Sequence, residues 1–190
     1  MRFVLATRNA HKAREFSVLL APHEVVALPD HVALPPEDGE TFAENALGKA
    51  RAAAAATGQV AIADDSGIEA EALGGAPGVR SARYAGQDAT DEENLAKLLR
   101  EAPAGTGLAY VCALAHVDPR SGRELVVEGR CTGRVAERPG GDGGFGYDPA
   151  FVPDDDATGR TMAQLDPAEK DAISHRGRAA RALLARLQGG

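Results

Sequence analysis

The 190-residue chain contains no tryptophan, and aromatic side chains make up only 4% of it. It contains no apolar run long enough to cross a bilayer, so we expect no membrane segment. Its two cysteines, Cys112 and Cys131, lack the Cys-x-x-Cys spacing of metal and redox sites. This usage favours reduced thiols in a cytoplasmic protein, although a disulfide between the two remains open.

Excess positive charge is also missing, because the formal net charge is −7 at pH 7. A general nucleic-acid binder normally displays a basic face, so we expect no nucleic-acid partner. A small anionic substrate stays compatible with this charge if positive groups are concentrated locally or a metal supplies them. Lysine occurs at only four positions, and Lys12, Lys49 and Lys170 fall in segments that other features single out. Because lysine is a compact charge suited to phosphate, this distribution points toward phosphate.

The hydrophobic pattern predicts helices interleaved with strands. The expected strands are 2–6, 24–28, 59–63, 108–117 and 124–137, with a short apolar piece at 150–152. The expected helices are 11–20, 41–58, 90–101, a short one beginning at Asp166-Pro167, and 174–187. The strands beginning at 108 and 124 read as an antiparallel hairpin, so we expect an α/β fold with a mixed sheet flanked by helices. No repeat or linker divides the chain, which favours a single domain over 1–190.

The sequence Asp64-Asp65-Ser66-Gly67 follows an apolar run, and we expect it where a buried strand meets a loop. Ligand sites in open α/β sheets collect at the carboxyl ends of strands. Neighbouring carboxylates there can hold a divalent cation and leave an oxygen to activate water. An ordinary turn is the alternative, since Asp, Ser and Gly favour turns for local reasons. Glu37, in the expected loop 29–40, is a candidate second metal ligand, although its spacing alone describes an ordinary loop acid.

A second polar segment lies between the first strand and the first helix. It reads Thr7-Arg8-Asn9-Ala10-His11-Lys12. Helix N-terminal N–H groups, a hydroxyl, an amide and a lysine together make an anion site. The glycines of a Walker loop are absent. Helix capping by Thr7 and Asn9 is an equally weighted alternative.

The segment 140–149 contains a formal G-x-G-x-x-G, but Pro149 prevents the helix that a dinucleotide site needs. Its glycines can let backbone approach a ligand while Phe145 and Tyr147 offer flat surfaces for a base. Aromatic rings that fill the core are the alternative. Two further pairings are weak by themselves: Asn45 and Lys49 share a helix face, and Ser174-His175-Arg176 begins the last helix.

These segments occur together and in one order along nearly the whole chain. The set comprises Thr7-x-Asn9-x-x-Lys12, Phe42-x-Glu44-Asn45-Ala46-x-x-Lys49-Ala50, Ala63-Asp64-Asp65-Ser66-Gly67, Leu73-Gly74-Gly75-Ala76-Pro77-Gly78, Ser81-Ala82-Arg83-Tyr84, Gly144-Phe145-Gly146-Tyr147-Asp148-Pro149 and Ser174-His175-Arg176. Each motif is weak alone, but the ordered set is specific. It closely resembles the inosine triphosphate pyrophosphatase family, which removes noncanonical purine nucleotides.

The resemblance implies hydrolysis of ITP, dITP and XTP to the monophosphate and pyrophosphate with Mg²⁺. It also implies an elongated mixed sheet in two lobes with a central cleft, and a homodimer. The triphosphate would contact Thr7, Arg8, Asn9, Ala10, His11, Lys12, Lys49 and Ser66. The base and sugar would contact Phe145, Gly146, Tyr147 and Asp148, while Lys170, His175 and Arg176 would contact the base end or the phosphates.

In this resemblance Asp65 is the general base and a metal ligand, and Glu37 is the expected second ligand. Glu44 and Asp64 remain alternatives for that second position. Arg8 stands where the family often has a small residue, which affects the expected phosphate contacts. Donors at His175 and Arg176 suit the 6-carbonyl of hypoxanthine and xanthine and reject the amine of adenine, whereas the sequence does not show how guanine is excluded. Two other functions stay open: a pyrophosphatase for other modified nucleotides, and a nucleotide sensor without catalysis.

Overall fold

The computed structural model describes residues 1–189, which form six strands and five α-helices. The strands are β1 (Arg2–Leu5), β2 (Glu24–Ala27), β3 (Ala61–Ala70), β4 (Gly107–Val117), β5 (Glu124–Val135) and β6 (Phe151–Pro153). The helices are α1 (Ala10–Leu19), α2 (Phe42–Thr57), α3 (Asp91–Glu101), α4 (Pro167–Ile173) and α5 (His175–Gln188). Among these residues, no helix is long and apolar enough to span a membrane.

All six strands belong to one sheet, in the order β2-β1-β3-β4-β5-β6. Strand β1 pairs in parallel with both β2 and β3, whereas β5 and β6 pair antiparallel. The expected mixed sheet flanked by helices is therefore confirmed. Strands β4 and β5 are neighbours joined by a tight turn, in which Asp118 N–H donates to the Arg123 carbonyl, as the hairpin pattern predicted.

Local signals set the helix ends. Thr41 and Thr90 each accept a hydrogen bond from the backbone of a glutamate three residues later, and that glutamate caps the threonine N–H in return. Gly58 ends α2 with φ 65°, a left-handed conformation that glycine adopts without steric cost. Asp166 caps α4 directly before Pro167. These starts and stops agree with the predicted helices because caps depend on residues only a few positions apart.

The predicted corner at Asp64-Asp65-Ser66-Gly67 is wrong, because these four residues lie inside β3. The strand continues to Ala70, and Ile68 and Ala70 are both fully buried in apolar core. Turn preference is a local effect, and burial of these later residues together with sheet pairing outweighs it. The carboxylates are accommodated within the strand because cations from neighbouring helices pair with them, as the site below shows.

The chain divides into two compact units. The first comprises 1–65, 112–129 and 175–190, and the second comprises 66–111 and 130–174. In the first unit, Phe3, Leu5 and Ile62 from the sheet pack with Phe16 of α1 and Leu183 of α5. The second unit has its own core. Its largest members include Ile68, Leu98, Tyr110, Phe151 and Met162. Each unit therefore has an apolar core of its own.

Candidate active site

Asp64 is the most deeply buried acid of the first unit, with a side chain that is 0% exposed. Lys12 of α1 donates to its Oδ2 over 2.8 Å, and the Nε of Arg176 on α5 lies 3.7 Å from the same oxygen. Burial alone would raise the pKa of this carboxyl, but Lys12, Arg176 and Lys49 hold it well below its usual range. Asp64 is therefore a permanent anion that fixes two cations.

Asp65 has a different environment on the adjacent position of β3. Asn45 of α2 donates from Nδ2 to Asp65 Oδ2 over 2.9 Å, and Lys49 Nζ lies 3.9 Å from Oδ1. Burial raises the pKa of this carboxyl, and the Glu37 carboxylate adds to the rise while Lys49 and the Asn45 amide oppose it. Two adjacent acids thus have pKa values displaced in opposite directions, the pattern that separates a structural anion from a base.

The pleat of β3 explains why the two acids meet different partners. Successive side chains of a strand point to opposite faces of the sheet. Ile62, two residues before Asp64, packs with α1 and α5, and the partners of Asp64 come from the same two helices. Asp65 points the other way and meets α2. The acids are consequently separated by the sheet although they adjoin in sequence.

Lys49 links Asp65 to Glu37. Its ammonium group donates to Glu37 Oε1 and is itself buried, with a side chain 7% exposed. Burial opposes its charge, but Asp64, Glu37 and Asp65 outweigh that effect and raise the pKa of Lys49. Lys49 is therefore protonated, and it holds the carboxylates of Glu37 and Asp65 around one positive group.

This arrangement favours Glu37 over the two alternatives for the second metal ligand. The Glu44 carboxylate caps α2, because its Oε2 accepts from the N–H groups of Glu40 and Thr41. The Asp64 carboxylate is paired with Lys12 on the other face. Of the three candidates, Glu37 is the one whose carboxylate contacts the Lys49 ammonium group beside Asp65, and its role as a metal ligand stays a prediction.

The segment between β1 and α1 caps the N-terminus of α1, which was one of the two roles that the sequence left open for it. Thr7 Oγ1 accepts from Asn9 N–H, and Asn9 Oδ1 accepts from the N–H groups of His11 and Lys12. Ala10 is the first residue of α1, and the exposed His11 ring contacts Arg14. The segment therefore forms a capped helix start beside Lys12, and its expected contacts with phosphate stay a prediction.

Arg8 does not have the surroundings expected of a phosphate ligand. Its guanidinium donates to main-chain carbonyl oxygens of the segment 28–32, over 2.9 to 3.2 Å. These acceptors engage both terminal nitrogens of the group, and the expected contact of Arg8 with phosphate stays a prediction. Sequence could not show these acceptors, because they are backbone atoms about twenty residues away.

Arg176 and His175 begin α5 and are both buried. Arg176 Nη1 donates to Glu15 Oε2 over 3.1 Å, in addition to its approach to Asp64. Two acids therefore hold this guanidinium from α1 and β3. Glu15 was missed as a site residue, although its position three residues after Lys12 places it on the same face of α1.

In the second unit, Asp148 contacts two other predicted residues, Lys170 and Phe145, and one residue that was not predicted, Tyr110. Its Oδ2 accepts from Lys170 Nζ over 2.8 Å and from Phe145 N–H over 3.0 Å, and its Oδ1 accepts from Tyr110 over 3.0 Å. Lys170 Nζ also lies 5.2 Å from the centroid of the Phe145 ring, a cation–π distance. Tyr110 carried no signal in the sequence, since it sits within the apolar run of β4.

Tyr147 fills the apolar core, which was one of the two roles that the sequence left open for the aromatic rings of the segment 140–149. Its ring packs in the apolar core of the second unit, and its hydroxyl donates to the Ser81 carbonyl over 2.6 Å. Gly146 N–H donates to Asp91 Oδ2 over 3.0 Å.

Phe145, which is half-buried, is the ring of this segment with exposed surface. Ser66 is half-buried on β3.

The residues around Lys49 fit a divalent cation of the magnesium type. No group of three or more His, Cys, Asp or Glu side chains in residues 1–189 is arranged to hold a metal by itself. Magnesium, however, is usually held by one or two carboxylates together with phosphate oxygens and water. Glu37 and Asp65 offer two such carboxylates, and their convergence on a lysine ammonium shows that the position favours positive charge.

Comparisons with known proteins identify the family to which this chain is similar. The model of the Ham1 family matches residues 3–186. A protein of Mycolicibacterium paratuberculosis named dITP/XTP pyrophosphatase is 50% identical over 195 residues, covering 97% of this chain and 95% of its own. One of that name from Geobacillus kaustophilus is 52% identical, covering 93% and 89%. The solved structure of a HAM1 protein from Coxiella burnetii has a TM-score of 0.87 at 39% identity, with both chains covered completely.

Proposed function

The chain belongs to the Ham1 family, and from this membership and the geometry of its acids we propose that it is a dITP/XTP pyrophosphatase. It hydrolyses noncanonical purine nucleoside triphosphates, among them dITP, ITP and XTP, to the monophosphate and pyrophosphate. The observation that carries the proposal is the environment of Asp65. A buried carboxylate that the Asn45 amide holds beside Lys49 and Glu37 is positioned to take a proton from water.

Asp65 is the proposed base. It orients and deprotonates the water that attacks the α-phosphorus, and pyrophosphate leaves. The Asn45 amide donates to Oδ2 of Asp65 and Lys49 lies beside Oδ1, so the position of this carboxylate is fixed from two sides. Lys49 and Lys12 lie beside the two acids and would stabilise negative charge on phosphate oxygens.

We propose Mg²⁺ as the cofactor, held by Asp65 and Glu37 together with phosphate oxygens of the substrate. When bound, such an ion neutralises charge on the phosphates and polarises them toward attack. Lys49 keeps the two carboxylates together before the ion arrives, which lowers the cost of ordering the loop that carries Glu37.

The remaining assignments follow the resemblance and the local contacts. The Ala10 N–H at the start of α1, the Lys12 ammonium group and the Ser66 hydroxyl would bind phosphate oxygens. Phe145 would stack on the base, with Gly146 allowing close approach, while Asp148 fixes Lys170 and Tyr147 supports the segment from the core. His175 and Arg176 would donate to the 6-carbonyl of the base.

We further propose that residues 1–190 act as one catalytic domain, because β3, β4 and β5 each supply residues to both units. A homodimer in the cytoplasm, without a nucleic-acid or membrane partner, is the expected setting for an enzyme that acts on the nucleotide pool. Light scattering on the purified chain tests the dimer directly.

The test of the activity is pyrophosphate release from dITP, XTP, dGTP and dATP, each with Mg²⁺ and with EDTA. Release from dITP and XTP that EDTA abolishes is the expected result. Equal release from all four nucleotides would contradict the proposed base selectivity. No release from any of them would favour a nucleotide sensor. In a parallel assay with dUTP, release faster than from dITP would favour a pyrophosphatase for other modified nucleotides.

A further inference from the structure

Arg8 follows β1 directly and ties two loops of the first unit together. Its Nη1 donates to the Leu28 carbonyl over 2.9 Å. Its Nη2 lies within 3.2 Å of the carbonyl oxygens of Pro29, Asp30 and Val32. A guanidinium suits such a role because it is planar, always charged and presents several donors in a fixed geometry. We call this set of contacts, from Arg8 to residues 28–32, the Arg8 clamp.

The Arg8 clamp lies upstream of Glu37 on the same loop. Val32 is buried, and only four residues, Ala33-Leu34-Pro35-Pro36, separate it from Glu37. Two consecutive prolines restrict the backbone, since each fixes its own φ and limits the residue before it. A shift at the clamp is therefore transmitted along a stiff segment to Glu37.

The loop is also held downstream of Glu37. Gly39 N–H donates to Asn45 Oδ1 over 2.8 Å, and the same Asn45 amide donates to Asp65. A Cβ at position 39 would lie 2.6 Å from that oxygen, so this approach requires glycine. The segment that carries Glu37 is thus fixed at both ends. Its downstream end is fixed by the residue that also orients Asp65.

We propose that Arg8 is a positioning residue that places the Glu37 carboxylate beside Asp65 for the metal–triphosphate complex, an inference that rests on the proposed function. Arg8 acts through the backbone of residues 28–32 and makes no contact with the substrate. Without it, the loop would have to be ordered when metal and nucleotide bind, so more metal would be required for the same occupancy.

The test compares Arg8→Gln and Arg8→Lys with a matched control, Arg14→Gln. Arg14 is a nearby arginine of α1 whose guanidinium contacts the exposed His11 ring. Arg14→Gln removes one positive charge, as Arg8→Gln does. Three quantities are measured: amide hydrogen exchange of residues 29–40 without metal or nucleotide, the Mg²⁺ concentration for half-maximal pyrophosphate release, and KM for dITP at saturating Mg²⁺.

In Arg8→Gln we expect exchange in 29–40 and the Mg²⁺ requirement to rise by about tenfold, the effect of losing a charged donor. Arg8→Lys should show a smaller change in the same direction. Its ammonium group keeps the charge, but it cannot reach all four carbonyls. Arg14→Gln should match wild type in all three measurements. Thermal unfolding verifies that each variant is folded.

A higher KM for dITP with unchanged exchange and an unchanged Mg²⁺ requirement would show that Arg8 binds phosphate, and it would overturn the inference. So would wild-type behaviour of Arg8→Gln in all three measurements. A wild-type chain that releases no pyrophosphate is a separate outcome, since it refutes the proposed function while hydrogen exchange still reports on the clamp.

Discussion

Asp64 and Asp65 adjoin in sequence but point to opposite faces of β3, and their pKa values are displaced in opposite directions. Asp64 is paired with Lys12 and Arg176, which outweigh burial and lower its pKa. Asp65 is buried with the Glu37 carboxylate nearby, and its pKa is raised despite Lys49. The two acids therefore suit different roles. Asp64 holds cations in place, whereas Asp65 is suited to exchange a proton.

Asp65→Asn is expected to lower kcat for dITP by about 100-fold or more, because general-base catalysis typically contributes a factor in that range. The fold should persist, since Lys49 keeps Glu37 as its partner. The measurement is kcat from pyrophosphate release, with dITP binding followed by calorimetry. Binding that persists without turnover is the expected combination, and an unchanged kcat would exclude Asp65 as the base.

Asp64→Asn is expected to lower the free energy of unfolding by about 3–5 kcal/mol, because it leaves buried cations without their anion. Urea unfolding measures this change. Glu24→Gln is the control: it removes an acid from the exposed pair with Arg2, 3.7 Å apart, and should cost less than about 1 kcal/mol. Equal losses in the two variants would show that Asp64 does not have the structural role assigned to it.

Gly144→Ala should cost more stability than Gly146→Ala, although both glycines have positive φ, 70° and 62°. Each substitution places a side chain in the left-handed region, at about 1–2 kcal/mol. At Gly144 the new Cβ would also collide with Asp148 Oδ2, whereas at Gly146 nothing lies within 4 Å of it.

The collision at Gly144 displaces the acceptor of Lys170 and Phe145, so Gly144→Ala should lose a further amount of about 1.5–3 kcal/mol. Thermal and urea unfolding of both variants measure the difference. Equal destabilisation would mean that Asp148 relaxes freely and does not fix Lys170.

His116 is expected to make stability depend on pH on the acid side. It is buried on β4 edge-on to Phe3, with ring centroids 5.9 Å apart, and within residues 1–189 its Nδ1 has no hydrogen-bond partner. Burial lowers its pKa below 6.5, while Asp118 opposes the shift. The unfolded chain therefore binds the proton more readily, and the stability contributed by neutral His116 is lost as pH falls below about 6.5.

The measurement is the free energy of unfolding of wild type and His116→Phe at pH 7.5 and 5.5. The wild-type chain should lose more stability on acidification, by at most about 1.4 kcal/mol per pH unit for one proton. The phenylalanine variant keeps the apolar contact with Phe3 but cannot titrate. Parallel loss in both proteins would place the acid sensitivity elsewhere.

The sequence by itself determined the helix boundaries, the mixed sheet and the family. Thr41 with Glu44, Thr90 with Glu93, and Asp166 before Pro167 act over three or four residues, so each signal is complete within its own segment. The ordered motifs likewise identified the family, because their order and identity are themselves sequence properties. They also placed Glu37, Lys49 and Asp65 in one proposed site.

Tertiary structure decided how those residues are used. Whether Asp64-Asp65-Ser66-Gly67 turns or continues as a strand depends on the burial of later residues such as Ile68, which no local preference encodes. The partners of Asp64 come from α1 and α5, and those of Arg8 are backbone carbonyls about twenty residues away. Charges and donors separated this far in sequence meet only after the helices pack on the sheet. Their pairing, and with it the opposite pKa shifts of Asp64 and Asp65, is therefore a property of the folded chain.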